Sequence, residues 1–203
     1  MGKIYDELDE KLADWIGCQR MFFVATAPSA LDGHVNVSPK GPMESFRILG
    51  PRRVAYIDLI GSGAETLAHV RDNGRIVIML CAFEGPPRIV RLHGRGRVVQ
   101  LGEPEFDELS AELDFSAVAA AEHAARAIVV VDVERIADSC GYGVPLMRFE
   151  GERPQQLAWI EGKLRSGGPM PCSSTRARAT PRASTACRPS RPGPGRKGPP
   201  AAS

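Results

Sequence analysis

The chain has 203 residues, 43% of them hydrophobic, with 26 Lys and Arg against 24 Asp and Glu, which predicts one globular domain with a sizeable core. Residues 1–165 carry 19 Lys and Arg against 24 Asp and Glu, whereas 166–203 holds seven Lys and Arg, eight Pro and no Leu, Ile, Val, Phe, Tyr, Trp, Asp or Glu. The basic character therefore belongs to a low-complexity tail, 166–203, predicted to be disordered because it has no apolar surface to offset the entropy of ordering, and the domain itself, 1–165, is not a basic nucleic-acid module.

Residues 3–20 put Ile4, Leu8, Leu12, Trp15 and Ile16 on one helical face, with acidic residues mostly opposite. A buried strand, 21–27, and a turn at 29–33 lead into a second strand at 34–39, so a hairpin follows the helix. Residues 45–49 and 53–59 read as paired strands across Gly50-Pro51-Arg52. Gly61-Ser62-Gly63 then opens a short helix that Asn73-Gly74 closes, with Ser62 and Glu65 at capping-box spacing. The apolar run 75–83 reads as a central strand. In 88–101, Val90, Leu92 and Val98 share one face while Arg91, His93, Arg95 and Arg97 share the other, and the two glycines between them predict a bend or bulge. A short helix at 103–113, a buried strand at 126–136 and a last helix at 153–164 complete the domain. Without regular alternation of strand and helix, six or seven strands argue for a mostly antiparallel barrel with peripheral helices.

Three stretches carry candidate chemistry. A helix start flanked by glycines leaves N–H groups open to a phosphate, with Ser62 and Thr66 adding hydroxyls, though a simple cap explains it too. Asn36, Ser38 and Lys40 point the same way if the extended chain continues through Pro39, giving either a donor-rich strand face or a solvated edge that Pro39 ends. The Arg91, His93, Arg95 and Arg97 ladder suits an anion, a subunit interface or plain solvent, and Tyr142 sits in a Gly-rich turn either against the core or over a planar ligand. Cys18, Cys81, Cys140, Cys172 and Cys187 form no CxxC pair, so neither a disulfide framework nor a metal site is expected. No Gly-x-Ser-x-Gly is present, and no side chain stands out as a general acid or base.

In order, the N-terminal amphipathic helix, MFFVATA, GHVNVSPKGP, the long stretch from Val54 to Val99 and CGYGVPL resemble the pyridoxamine 5′-phosphate oxidase-like family of FMN-binding split barrels, above all its uncharacterised bacterial members. The resemblance covers about residues 1–165. It implies a flavin-dependent oxidoreductase, a homodimer with non-covalent FMN in clefts between subunits. It also implies a cofactor set of Asn36, Val37, Ser38 and Lys40 beside the ring or phosphate, and Asp58, Ser62, Gly63, Glu65 and Thr66 at the phosphate. The family's Ser-Arg-Lys phosphate loop is here Ser62-Gly63-Ala64, followed by an acidic Glu65. Backbone N–H groups, Ser62, Thr66 and Lys40, or an arginine from elsewhere, would then meet the phosphate.

The strand reads Arg88-Ile89-Val90-Arg91 without the family's glutamine, so oxidation of pyridoxamine phosphate itself is not expected. Two other planar cofactors stay open on the same barrel: the deazaflavin F420, or haem with His93 or Cys140 as axial ligand. So does a non-catalytic, stress-associated flavin module. No run approaches the roughly 20 apolar residues of a membrane span and no signal-peptide core precedes the domain, which predicts a cytoplasmic protein. Nucleic acid or an acidic membrane would be met only through the tail, by counterion release, unless the tail is an out-of-frame product.

Overall fold

The computed structural model describes residues 2–61, 64–118 and 121–166. The predicted tail lies outside these apart from Ser166, as do Ser62, Gly63, Cys172 and Cys187. The elements in chain order are β1 (Ile4–Tyr5), α1 (Glu10–Gly17), β2 (Phe22–Thr26), β3 (Asn36–Lys40), a 3-10 turn (Met43–Ser45), β4 (Phe46–Gly50), β5 (Arg53–Leu59), α2 (Glu65–Asn73), β6 (Arg75–Cys81), β7 (Ile89–Gln100), α3 (Pro104–Leu113), α4 (Ala121–Ala124), β8 (Ala125–Ser139) and α5 (Gln155–Arg165).

All strands join one antiparallel sheet in the order β3-β2-β6-β7-β8-β5-β4, with the two-residue β1 added on β8. The expected mostly antiparallel split barrel is therefore the observed fold, with one short strand more than six or seven. The helical reading from residue 3 is corrected at its start. Ile4 and Tyr5 pair with Ala137 and Ile136 of β8, and α1 begins only at Glu10, capped by Asp9, whose Oδ1 accepts the Leu12 N–H at 2.8 Å. Leu12 and Ile16 keep their predicted inward face.

The hydrogen-bonded order places β2 far from β4 and β5, yet Phe22 of β2 lies 5.2 Å from the Phe46 ring of β4 and 5.5 Å from the Tyr56 ring of β5. The sheet must curl for these rings to meet, so side chains rather than a backbone ladder bring its two ends together. Alternation then sorts the residues. Val54 and Tyr56 of β5, Val129 and Val131 of β8 and Leu92 of β7 pack inside with Leu12 and Ile16 of α1. Ala55, Ile57, Ile128 and Val130 face outward beneath Phe106 and Leu113 of α3. Full burial of such a side chain is worth about 1.5–3 kcal/mol.

Two irregularities adjust this pattern. Opposite the glycines of β7 the register shifts at His93/Gly94, but the extra residue is Glu134 of β8 and β7 itself pairs with β6 without a shift, so the bulge expected in this strand lies in its neighbour. A Cβ on Gly94 would stand 2.1 Å from the Asp132 carbonyl oxygen of β8. The second lies between β5 and β8: Asp58 pairs with Ala127 and Leu59 with Ala125, leaving Arg126 as the extra residue. At the end of α2, Gly74 takes φ 70° and closes the helix by donating its N–H to Val70, as Asn73-Gly74 predicted.

Candidate functional site

Where the sheet fails to close lies a cleft of about 460 Å³, lined among others by Asn36, Ser38 and Lys40 of β3, Thr66 of α2, Arg126 of β8 and Gln156 of α5. Its volume falls in the range of about 300–1,000 Å³ that holds small ligands and cofactors.

The β3 side follows from alternation. The extended chain does continue through Pro39, and Asn36, Ser38 and Lys40 stand opposite the buried Thr26, Val24 and Phe22 of β2, so all three side chains take the inner side. Val37 faces the other way and is 60% exposed, so only its main chain borders this side. Asn36 Nδ2 donates to Thr66 Oγ1 at 2.9 Å, and Ser38 Oγ donates to Asn36 Oδ1 at 3.2 Å. Thr66 is buried, so its contact with Asn36 ties the first turn of α2 to the edge strand. One turn on, His69 Nδ1 and Thr26 Oγ1 are 3.1 Å apart, continuing this polar seam away from the cleft.

The start of α2 corrects the capping box. The helix begins at Glu65 with Ala64 as its N-cap and no side-chain cap, so Glu65 occupies the first helical position and not the third that a capping box gives it. Glu65 is exposed at the cleft edge. Ser62 and Gly63 were both expected at this helix start and lie outside the described residues.

Asp58 is fully buried on β5, two residues beyond Tyr56 and on the same inner side. Its Oδ1 accepts from Lys40 Nζ at 2.6 Å and its Oδ2 from Arg126 Nε. Lys40 comes from the first strand of the sheet path and Asp58 from near its other end, so this ion pair spans the split. Arg126 is the extra residue of the β8 bulge, and the bulge turns its side chain toward Asp58, out of the alternation that sends Ile128 and Val130 outward. Beside them the Tyr56 hydroxyl is buried with no hydrogen-bond partner among the described residues. Burial, then the nearby Asp58 charge, push its pKa well above the usual phenol value, against the opposing pull of Arg126.

Arg126 and Gln156 are the charged and amide cleft residues that sequence reasoning missed, and Ser45, Ile57 and Leu59 also line the cleft without having been expected there. Gln156 Nε2 donates to the Ile60 carbonyl at 3.3 Å, and the buried Ile160 seats α5 against Ala124 and Leu59. Other candidates lie elsewhere: Tyr142 is 82% exposed and does not line the cleft. His93 and Cys140 do not line it either, and no cluster of three metal-ligating side chains exists among the described residues. The basic ladder is an outward strand face with separate partners. Arg91 donates to Ser139 Oγ at 3.0 Å, Arg95 to the Asn73 carbonyl at 2.9 Å and Arg97 to Glu105 at 2.6 Å. No helix of the described residues is long and apolar enough to cross a membrane.

The donor set suits an anionic, partly planar ligand: two cations, an amide and hydroxyls at one side, with Pro39, Ile57 and Leu59 offering apolar surface. Among known proteins, a pyridoxamine 5′-phosphate oxidase family protein of Aspergillus flavus, ustO, is 41% identical over 144 residues, 70% of this chain and 56% of its own length. The chain thus spans little more than half of that relative. HupZ of Group A Streptococcus, as its H111A variant, shares the fold at 22% identity and a TM-score of 0.50, over 65% of this chain and 99% of its own. An FMN-binding protein of Syntrophomonas wolfei superposes at 17% identity and a TM-score of 0.45, covering 66% of this chain and 83% of its own. The family model for pyridoxamine 5′-phosphate oxidase matches residues 8–140, and the chain belongs to that family.

Proposed function

We propose that the protein is a flavin-dependent oxidoreductase that holds FMN in the cleft at the split and exchanges electrons with a small molecule. The observation that carries this reading is the convergence of Lys40 and Arg126 on Asp58 in a cleft that Asn36, Ser38 and Thr66 also line. Lys40 and Arg126 would meet the phosphate together with Thr66 and the open N–H groups of the helix start, the arrangement expected when the loop lacks its own cations. Asn36, Ser38 and the main chain at Val37 would lie along the ring, fixing its orientation. Glu65 stays at the rim, where its charge lowers affinity for the phosphate. Bound flavin would supply two-electron chemistry at its ring; the chain's part is to bind, orient and shield it. Membership of the family supports the flavin, and the two-sided donor set fits it.

Two copies are inferred to assemble as a homodimer, completing each cleft, a reading supported by the apolar Val37 left 60% exposed on the outer side of β3. Haem is the weaker fit, because neither His93 nor Cys140 reaches the cleft. The test is mass spectrometry and absorption of the chromophore that co-purifies, followed by titration with FMN, FAD and F420 and reduction by NADPH. FMN that binds and is reduced supports the reading. Tight binding of F420 alone replaces the cofactor, FMN that no donor reduces leaves a non-catalytic module, and no flavin binding at all ends it.

A further inference from the structure

We infer that Asp58 is a positioning residue that holds Lys40 and Arg126 in place for an anion, and is not itself a ligand of the cofactor. The inference rests on the reading of the cleft as a flavin-phosphate site. Asp58 has no exposed side-chain surface and does not line the cleft, whereas Lys40 and Arg126, whose side chains are 20% and 12% exposed, both do. Each carboxylate oxygen is taken by a different cation, Oδ1 by Lys40 and Oδ2 by Arg126. Two cations thus share one carboxylate, and it is the cations, not Asp58, that line the cleft.

Both cations have long side chains with many rotamers, and an anion that had to immobilise them would bind less tightly for it. Asp58 does that ordering in the fold, before any ligand arrives. It also closes the split, since Lys40 and Arg126 reach it from the two ends of the sheet path, so the anion site and the seam share one counter-charge. The bulge at Arg126 has the same purpose, because a regular strand would send that side chain to the outer face.

The sign of one substitution decides the matter. If Asp58 were only a negative charge near the phosphate, Asp58→Asn would relieve repulsion and tighten FMN binding. As a positioning residue, its loss removes the shared counter-charge that aims the two cations, and FMN affinity falls by about tenfold or more while riboflavin, which has no phosphate, changes by less than about twofold. Affinities for FMN and riboflavin are measured by fluorescence quenching of the purified protein. Arg126→Lys, which keeps the charge at the bulge but not the planar fork, is run beside it and retains the test if the Asn variant does not fold. It is expected to lose FMN affinity by about tenfold with riboflavin unchanged.

Unchanged or tighter FMN binding in Asp58→Asn overturns the inference, as does an Arg126→Lys protein with wild-type affinity. Wild-type protein that shows no preference for FMN over riboflavin overturns the flavin-phosphate reading itself. A wild-type preference that Asp58→Asn retains removes only the role of Asp58.

Discussion

Two sets of basic strand residues stand in this molecule, and they behave in opposite ways. On β3 and the β8 bulge, Lys40 and Arg126 converge on one fully buried carboxylate at the seam of the sheet. On β7, Arg91, His93, Arg95 and Arg97 spread along an outer face, where Arg91, Arg95 and Arg97 each donate to a different neighbour, and Arg97 and Glu105 are about half exposed. Burial and the sharing of a counter-charge make one a site and the other a surface. Coulomb attraction is strong where water is excluded and weak where it is not.

The largest effect that tests this contrast is at the seam. Replacing Arg126 with Met leaves Asp58 buried with one partner fewer, and the expected loss is about 3–5 kcal/mol in urea unfolding. A loss below 1 kcal/mol would place Asp58 in effectively wet surroundings and erase the distinction. Next comes the register of the outer ladder. Gly94→Ala brings a Cβ into the Asp132 carbonyl and should cost about 1–3 kcal/mol, read as a lower thermal midpoint with unchanged far-UV dichroism. A smaller change is expected for Arg97→Met, less than about 1 kcal/mol by chemical denaturation, because its ion pair is exposed.

The smallest effect is a pH slope. Partial burial, then the charges of Arg135 and Arg91, hold the His93 pKa below the usual imidazole value. The unfolded chain therefore binds a proton at His93 more readily than the folded one. The corresponding stability is full above the unfolded value of about 6.5 and is lost as pH falls through the folded value. His93→Gln should flatten stability against pH just below neutrality, and an unaltered slope would mean that neither burial nor the Arg135 and Arg91 charges perturb the ring.

Much of this architecture was readable from the chain because apolar alternation and turn residues are local signals. The strands from β2 to β7 and the Gly74 helix end came from such patterns. Asn36, Ser38 and Lys40 were placed together because period-2 geometry needs no knowledge of the rest of the fold. What stayed hidden depends on distant chain. Ile4 and Tyr5 fit a helical face, and only the presence of β8 beside them makes a strand. Arg126 stands at the head of the apolar run RAIVVVDV, where one extra residue in the pairing with β5 leaves no mark in the sequence. Asp58 was expected at the phosphate, and its neighbour across the seam, Lys40, lies 18 positions earlier, a pairing that only the curl of the sheet creates.

Pro39 has a consequence of another kind. β3 ends the sheet path and pairs only with β2 among the described strands, so its far side is a row of backbone groups open to any extended chain. A residue without an N–H in the middle of that row, followed by a lysine drawn inward to Asp58, interrupts the template on which a stray strand would grow. The strand that furnishes the cleft with the donors of Asn36, Ser38 and Lys40 thus also carries a break in its own open edge.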